Sequence, residues 1–221
     1  MQDESNVKEA GANQSRRLSV RRTPNQTRAR ETVQAILRAA ALEIEENGLD
    51  RLTTRRIAEA AGISVGGLYE YFPNKQSVVN AMIEEWMQKV FEAIENLHPD
   101  RRVSKDLVDY LHAQIDHLSR IYRDEPCLSA VLTMLSSVPE LTVAVQQHDR
   151  KIAESVTGAI SHFAPDAPPG HVAAMARTIS LIGHEMLCEA FVRKSEHADK
   201  LVSNLKVCVS ALSSQLLLLK K

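Results

Sequence analysis

Apolar residues recur at intervals of three and four along nearly the whole chain, a spacing that predicts helices with one buried face. Val33, Ile36, Leu37, Ala40 and Ile44 mark a first helix over about Arg30 to Asn47, which Gly48 ends. Two short helices follow. Thr53 is placed to cap the first, through Thr54 to Ala61. Gly62 supplies a left-handed stop, and Ser64 caps the second, Val65 to Tyr71. A fourth helix, Lys75 to Leu97, carries Val78, Val79, Met82, Ile83, Trp86, Met87, Val90, Phe91 and Ile94 on a broad face. Pro99 breaks the pattern, and helices are then expected over Val103 to Arg123, Leu128 to Ser136 and Pro139 to Phe163. The loop Ala164 to Gly170 precedes two last helices, His171 to Lys194 and Ala198 to Leu219.

The stretch from Leu52 to Lys75 organises the rest. Gly62 to Ser64 is a three-residue turn between short helices, the length and composition of a helix-turn-helix. Its second helix carries Gly66 and Gly67, each costing about 1 kcal/mol relative to alanine, so packing through Leu68 and Phe72 must hold it. Glycines there admit a close backbone approach, and the hydroxyls of Tyr69 and Tyr71 can donate to phosphate oxygens. Pro73 stops that helix and Asn74 can cap the next. Lys75 then sits in its first turn, an unfavourable place for a cation unless an anion completes the site.

Leu52 to Arg55, Ile57-Ala58, Ala61 to Ser64, Gly67 to Tyr69, Tyr71-Phe72 and Asn74-Lys75 together resemble the tetracycline-repressor (TetR) family of bacterial transcriptional regulators. The resemblance takes in the helix before this stretch, from about Arg30. Beyond about Ala93 only helical character and length match. It implies an N-terminal three-helix DNA-binding domain, residues 29–75, behind an arginine-rich arm, residues 1–28. A ligand-binding and dimerisation domain, residues 76–221, follows. The DNA-facing residues it implies are Thr53, Thr54, Arg55, Ser64, Val65, Gly66, Gly67, Tyr69, Tyr71 and Lys75. Within that set Thr53, Gly67, Tyr69, Tyr71 and Lys75 are phosphate contacts, and Arg55 and Val65 read base edges. Glu70 falls at a variable position, either accepting from a cytosine amine or turned from the DNA.

Composition changes this picture little. The 221 residues are 44% hydrophobic and 25% charged, those of a soluble globular chain, and no apolar run of about 18 residues suggests a membrane span. A net charge of −1 argues against indiscriminate nucleic-acid binding. Yet residues 16 to 30 hold six arginines and no acid, an arm that either tracks phosphates or stays solvated. Ser15 to Ser19 has the look of an export signal, but no apolar segment follows, so a cytoplasmic protein is expected. Cys127, Cys188 and Cys208 have no paired spacing, which fits a reducing compartment, small buried apolar roles and no metal or cofactor.

The C-terminal half carries an assembly signal. Ala173, Ala176, Ser180, Gly183, Leu187 and Ala190 form a stripe of mostly small residues beside Val172, Met175, Ile179, Ile182 and Met186. With Leu205, Leu212 and Leu216 on the last helix, the stripe predicts a homodimeric four-helix bundle. Flexible and aromatic side chains at Trp86, Phe91, Tyr110, Met134, Phe163, Met175 and Met186, with His112 and His117 as polar members, are the expected walls of a small-molecule pocket. The resulting expectation is a non-enzymatic regulator, a repressor released from a palindromic operator by a small molecule. The competing class is a metal-dependent helical phosphohydrolase using His148-Asp149 or His112, Asp116 and His117, but Asp116 and His117 point about 100 degrees apart on a helix.

Overall fold

The computed structural model describes residues 27–125, 128, 129, 132 and 139–218. Every regular element among them is helical, giving the expected all-α fold. The helices are α1 (Thr27–Asn47), α2 (Thr54–Ala60), α3 (Val65–Tyr71), α4 (Lys75–Leu97), α5 (Leu107–Asp124), α6 (Pro139–Phe163), α7 (Pro169–Leu187) and α8 (Ala198–Leu218). Residues 1–26 of the arm and Met134 lie outside the described residues, as does most of the helix expected over Leu128 to Ser136, while Thr27 and Arg28 already belong to α1.

The described residues fall into two compact units, one running to Trp86 with parts of 126–142, the other holding 87–125 and the chain from Val143. Helix α4 is continuous across the divide, whereas the sequence reading drew its boundary at the start of that helix.

In the first unit, Ile36, Ala40, Leu52, Ile57, Ala58, Leu68 and Phe72 are 0–1% exposed and form the core beneath the short helices. Burying Leu68 and Phe72 contributes about 1.5–3 kcal/mol each, enough to offset the two glycines of α3 at about 1 kcal/mol apiece. Helix α2 ends as its sequence requires: Gly62 has φ +67°, the Gly62 N–H donates to Glu59 and the Ile63 N–H reaches back to Ala58.

In the second unit, α5 begins at Leu107, four residues later than Val103. Asp106 decides the start, its carboxylate accepting from the Asp109 N–H at 2.8 Å, and Val103 is left 95% exposed ahead of it. Helix α6 has the expected bounds, and α7 starts at Pro169 behind Pro168, which is compatible with a first turn that needs no N–H. The long helix expected to Lys194 is α-helical only to Leu187. One wider π-turn, Cys188–Val192, replaces its end, with the Arg193 N–H donating to the Cys188 carbonyl at 2.9 Å.

Candidate nucleic-acid interface

Each short helix is started by its own hydroxyl. Thr53 Oγ1 accepts from the Arg56 N–H at 3.2 Å, and Ser64 Oγ from the Gly67 N–H at 2.9 Å. The space around Gly67 is tight: a Cβ there would lie 3.2 Å from Ser64 Oγ, so the glycine keeps the cap in place. The start of α4 is closed in the same way, by the Asn74 cap that the sequence suggests. Asn74 Oδ1 accepts from the Ser77 N–H at 2.8 Å, while the Asn74 N–H reaches Ser77 Oγ at 3.3 Å.

Two neighbouring arginines are sorted by one carboxylate. Arg56 Nε donates to Glu43 Oε2 of α1 at 2.7 Å, and Asn47 Nδ2 donates to the same oxygen at 3.3 Å. Arg56 is thereby spent on orienting α2, and Arg55 beside it stays exposed. Gln34 of α1 donates to Glu85 of α4 at 3.1 Å, tying both long helices of the unit to each other.

All ten sequence-predicted DNA-facing residues remain at least partly accessible on this unit. Thr53, Arg55, Ser64, Val65, Gly66 and Tyr69 are exposed, and Thr54, Gly67, Tyr71 and Lys75 half-buried. Val65 and Tyr69 are 38% and 41% exposed although both are large and partly apolar, in contrast with Leu68 between them at 0%. Tyr69 OH also lies 3.1 Å from Thr54 Oγ1, a contact between α3 and α2 that spacing alone did not reveal.

Residues 36–82 match the family described as bacterial regulatory proteins, tetR family, and residues 105–216 match the Tetracyclin repressor-like C-terminal domain. The chain belongs to the TetR family. It is a DNA-binding transcriptional regulator with an N-terminal helix-turn-helix and a C-terminal helical domain. Among curated relatives it is similar to the nucleoid occlusion factor SlmA of Mannheimia succiniciproducens, with 31% identity over 88 residues. That match covers 40% of this chain and 39% of the relative, so these relatives share only a part of their length with it. A second SlmA, from Actinobacillus pleuropneumoniae, is 32% identical over 88 residues, 40% of this chain and 42% of the relative. Solved structures of the same fold include GusR of Salmonella enterica, at TM-score 0.65 and 18% identity over 87% of this chain and 100% of that one. A TetR regulator from Legionella pneumophila aligns at TM-score 0.63 and 16% identity, covering 86% of this chain and 98% of its own. The complex of SmeT with triclosan aligns at TM-score 0.63 and 21% identity, covering 84% and 91%.

The residues expected to line a ligand pocket have varied surroundings. Tyr110 is fully buried, its hydroxyl oxygen accepts from Gln114 Nε2, and its ring lies 5.8 Å from the Phe163 ring. Burial and the neighbouring Glu95 push its phenol well above the usual range. Trp86 and Met175 are buried, and Phe91 and Met186 half-buried. His112 does not stand free to orient a ligand. Its Nε2 is 2.9 Å from Ser210 Oγ and 3.2 Å from the Lys206 carbonyl, bolting α5 to α8. His117 lines a cleft of about 360 Å³ between α4 and α5, with Lys89, Glu92, Asn96, Arg120 and Asp124 among its walls. Ala93 and Ile121 add apolar surface to it. The Arg120 guanidinium lies 3.2 Å from His117 Nδ1, and burial, then Arg120 and Arg102, hold this imidazole below its ordinary value.

The groups required by a phosphohydrolase are engaged elsewhere. Asp116 pairs with Lys206 at 2.6 Å, His112 is tied to α8, and among the described residues no cluster of three His, Cys, Asp or Glu is placed to hold a metal. Nothing in the comparisons supports that class. Also among these residues, no helix is long and apolar enough to cross a membrane.

Sequence reasoning missed a polar group in the second unit. Tyr122 OH lies 2.7 Å from His184 Nδ1, and Cys188 Sγ is 3.7 Å from Nε2 of the same ring. Burial, followed by Cys188, Asp149 and Glu185, raises the Tyr122 phenol well above its ordinary value, so it stays protonated, and the tautomer of His184 sets which of the two groups donates. Burial likewise lowers His148 and His184 and raises the Cys188 thiol to about 11. His184 is an exposed residue whose Nδ1 meets the buried Tyr122 hydroxyl. The signal was the i, i+4 pair His184 and Cys188, hidden because its partner sits 62 positions away. Cys188 is buried as expected of a small apolar residue, but Cys208 is exposed.

The expected dimer stripe is divided between core and surface. Ala176, Leu187, Leu205 and Leu216 are 0–2% exposed because α7 and α8 pack on each other within the chain, so these four are core and not free to meet a partner. Ala173 stays exposed, and Ser180, Gly183 and Leu212 are half-exposed. The apolar positions left outward are Leu181 at 51% and Val207 at 65%.

Proposed function

We propose that this TetR-family protein is a cytoplasmic homodimeric repressor that binds a palindromic operator through two copies of the α2–α3 surface and leaves it when a small molecule binds the C-terminal domain. The carrying observation is the contrast within α3: Leu68 is fully buried while Val65 and Tyr69 stay exposed beside Gly66, Gly67 and the unengaged Arg55. Such a face is built to touch something. Thr53, Gly67, Tyr69, Tyr71 and Lys75 hold phosphates, Arg55 and Val65 read base edges, and Thr54, Ser64 and Gly66 complete the surface.

Family members bind operator DNA as dimers and respond to small-molecule ligands. Here Ala173, Ser180 and Gly183 of α7, with Leu212 of α8, are the members of the expected stripe that stay accessible, and they form the subunit contact. SmeT, similar in fold, is solved with triclosan, in keeping with a small effector for this chain also. Release follows if the effector favours a conformer whose two reading surfaces no longer match successive major grooves, about 34–36 Å apart, and operator DNA then weakens effector binding by the same factor. Selection of duplexes from a random pool tests the reading. Enrichment of an inverted repeat with half-sites about one or two helical turns apart is expected, and recovery of no common sequence would overturn it.

A further inference from the structure

The contact between Thr54 and Tyr69 belongs neither to a helix cap nor to the core. Two hydroxyls 3.1 Å apart join the first residue of α2 to the middle of α3, at the surface of the first unit. Each hydroxyl owns one proton, and their mutual bond uses one of them. The other remains to be donated. A backbone phosphate at neutral pH only accepts, so the pair has one donor for it and not two.

We propose that Thr54 and Tyr69 act as a single clamp on one operator phosphate, with Thr54 as the positioning residue and the Tyr69 hydroxyl as the group that touches DNA. The inference rests on the proposed assignment of the α2–α3 surface to DNA. Tyr69 is the more exposed of the two, and its ring extends farther from the backbone than a threonine hydroxyl can reach. With phosphate present, the proton order is therefore fixed as Thr54 O–H to Tyr69 oxygen, and Tyr69 O–H to phosphate. A hydroxyl that accepts one hydrogen bond donates a stronger one, so each bond reinforces the next. Thr54 also holds the exposed phenol in its binding position beforehand, which lowers the cost of ordering it on the DNA.

The test is a double-mutant cycle in the full-length protein with the duplex it selects from a random pool, read as Kd over a range of salt. Thr54→Val and Tyr69→Phe keep shape and remove one hydroxyl each. Each single variant is expected to bind roughly tenfold more weakly. The double variant should be no more than about twofold worse than the poorer single one, Thr54→Ser should bind like the wild type, and the salt slope should be unchanged because no charge is lost. Losses that multiply to roughly a hundredfold in the double variant would overturn the clamp, as would a Thr54→Val protein with wild-type affinity. If Thr54→Val melts early, Thr54→Ala closes the same cycle. Lys75→Ala separates the two levels of the argument. If it and Tyr69→Phe weaken binding while Thr54→Val does not, only the clamp fails; if none of the three changes Kd, the DNA-facing assignment fails and the clamp with it.

Discussion

Arg55 and Arg56 are chemically identical neighbours with different tasks, and Glu43 makes the difference. Its carboxylate takes Arg56 at 2.7 Å, leaving Arg55 exposed for a base edge. A guanidinium that grips guanine through two hydrogen bonds contributes about 1–3 kcal/mol of discrimination. Arg55→Ala is therefore expected to relax the preference at one position per half-site, measured by repeating the duplex selection. Lys75→Ala should instead weaken all sequences alike and reduce the salt slope by about one. An equal loss on every sequence for Arg55→Ala would reassign it to the phosphates. Gly62 is constrained by backbone alone: at φ +67° with no atom within 4 Å of a Cβ, alanine meets no clash but does meet the left-handed penalty. Gly62→Ala should cost about 1–2 kcal/mol, seen as a lower thermal midpoint. An unchanged midpoint would argue against the left-handed turn.

At the scale of elements, α5, α7 and the π-turn meet in the polar group of Tyr122, His184 and Cys188, with His148 and Asp149 of α6 within electrostatic range. Burial lowers both His184 and His148 from the ordinary 6.5. The unfolded chain then binds more protons than the native one between the lowered values and about 6.5. Stability is thus fully present above that window and lost as pH falls through it. Acidic Asp149 and Glu185 oppose the shift at His184, and Arg193 adds to it. Denaturant titrations at pH 7.5 and 5.5 should show this loss, and His184→Gln, which keeps an acceptor for Tyr122, should reduce it. The same pH dependence in that variant would place the linkage elsewhere. The π-turn itself begins at Cys188, directly after the residues that meet Tyr122, but its extra residue has no cause in the local sequence that we can identify.

For the whole molecule, DNA recognition and assembly are coupled through geometry, since two reading surfaces need a fixed separation to bind a palindrome. Gly183 is half-exposed and a Cβ there would touch nothing within 4 Å, so a larger side chain is tolerated by the isolated chain. Gly183→Glu should fold normally yet dissociate the proposed dimer, because a carboxylate buried in a helix contact is left unpaired. Sedimentation reads the mass and a binding titration reads the accompanying loss of operator affinity. An intact dimer for this variant would move the interface off the Gly183 face of α7.

What the sequence determined by itself was everything that depends on neighbours along the chain. The caps at Thr53, Ser64 and Asn74, the left-handed Gly62, the bounds of α4 and α6 and the buried pair Leu68 and Phe72 all follow from local chemistry and periodicity. The proposed DNA-facing set occupies one short, strongly patterned stretch, and all ten of its residues stay at least partly accessible there. Tertiary structure decided what depends on residues distant in sequence. Periodicity marks a stripe on α7 and α8 as apolar, but only packing chooses whether Ala176 and Leu187 face their own chain or a partner, and Leu181 and Val207 are what remains outside. Likewise a histidine's role is set by what lies across from it. His112 became a bolt to Ser210 and His184 the hydrogen-bond partner of Tyr122, because hydrogen bonds form between groups brought close in space, and helix spacing carries no record of which helix lies opposite.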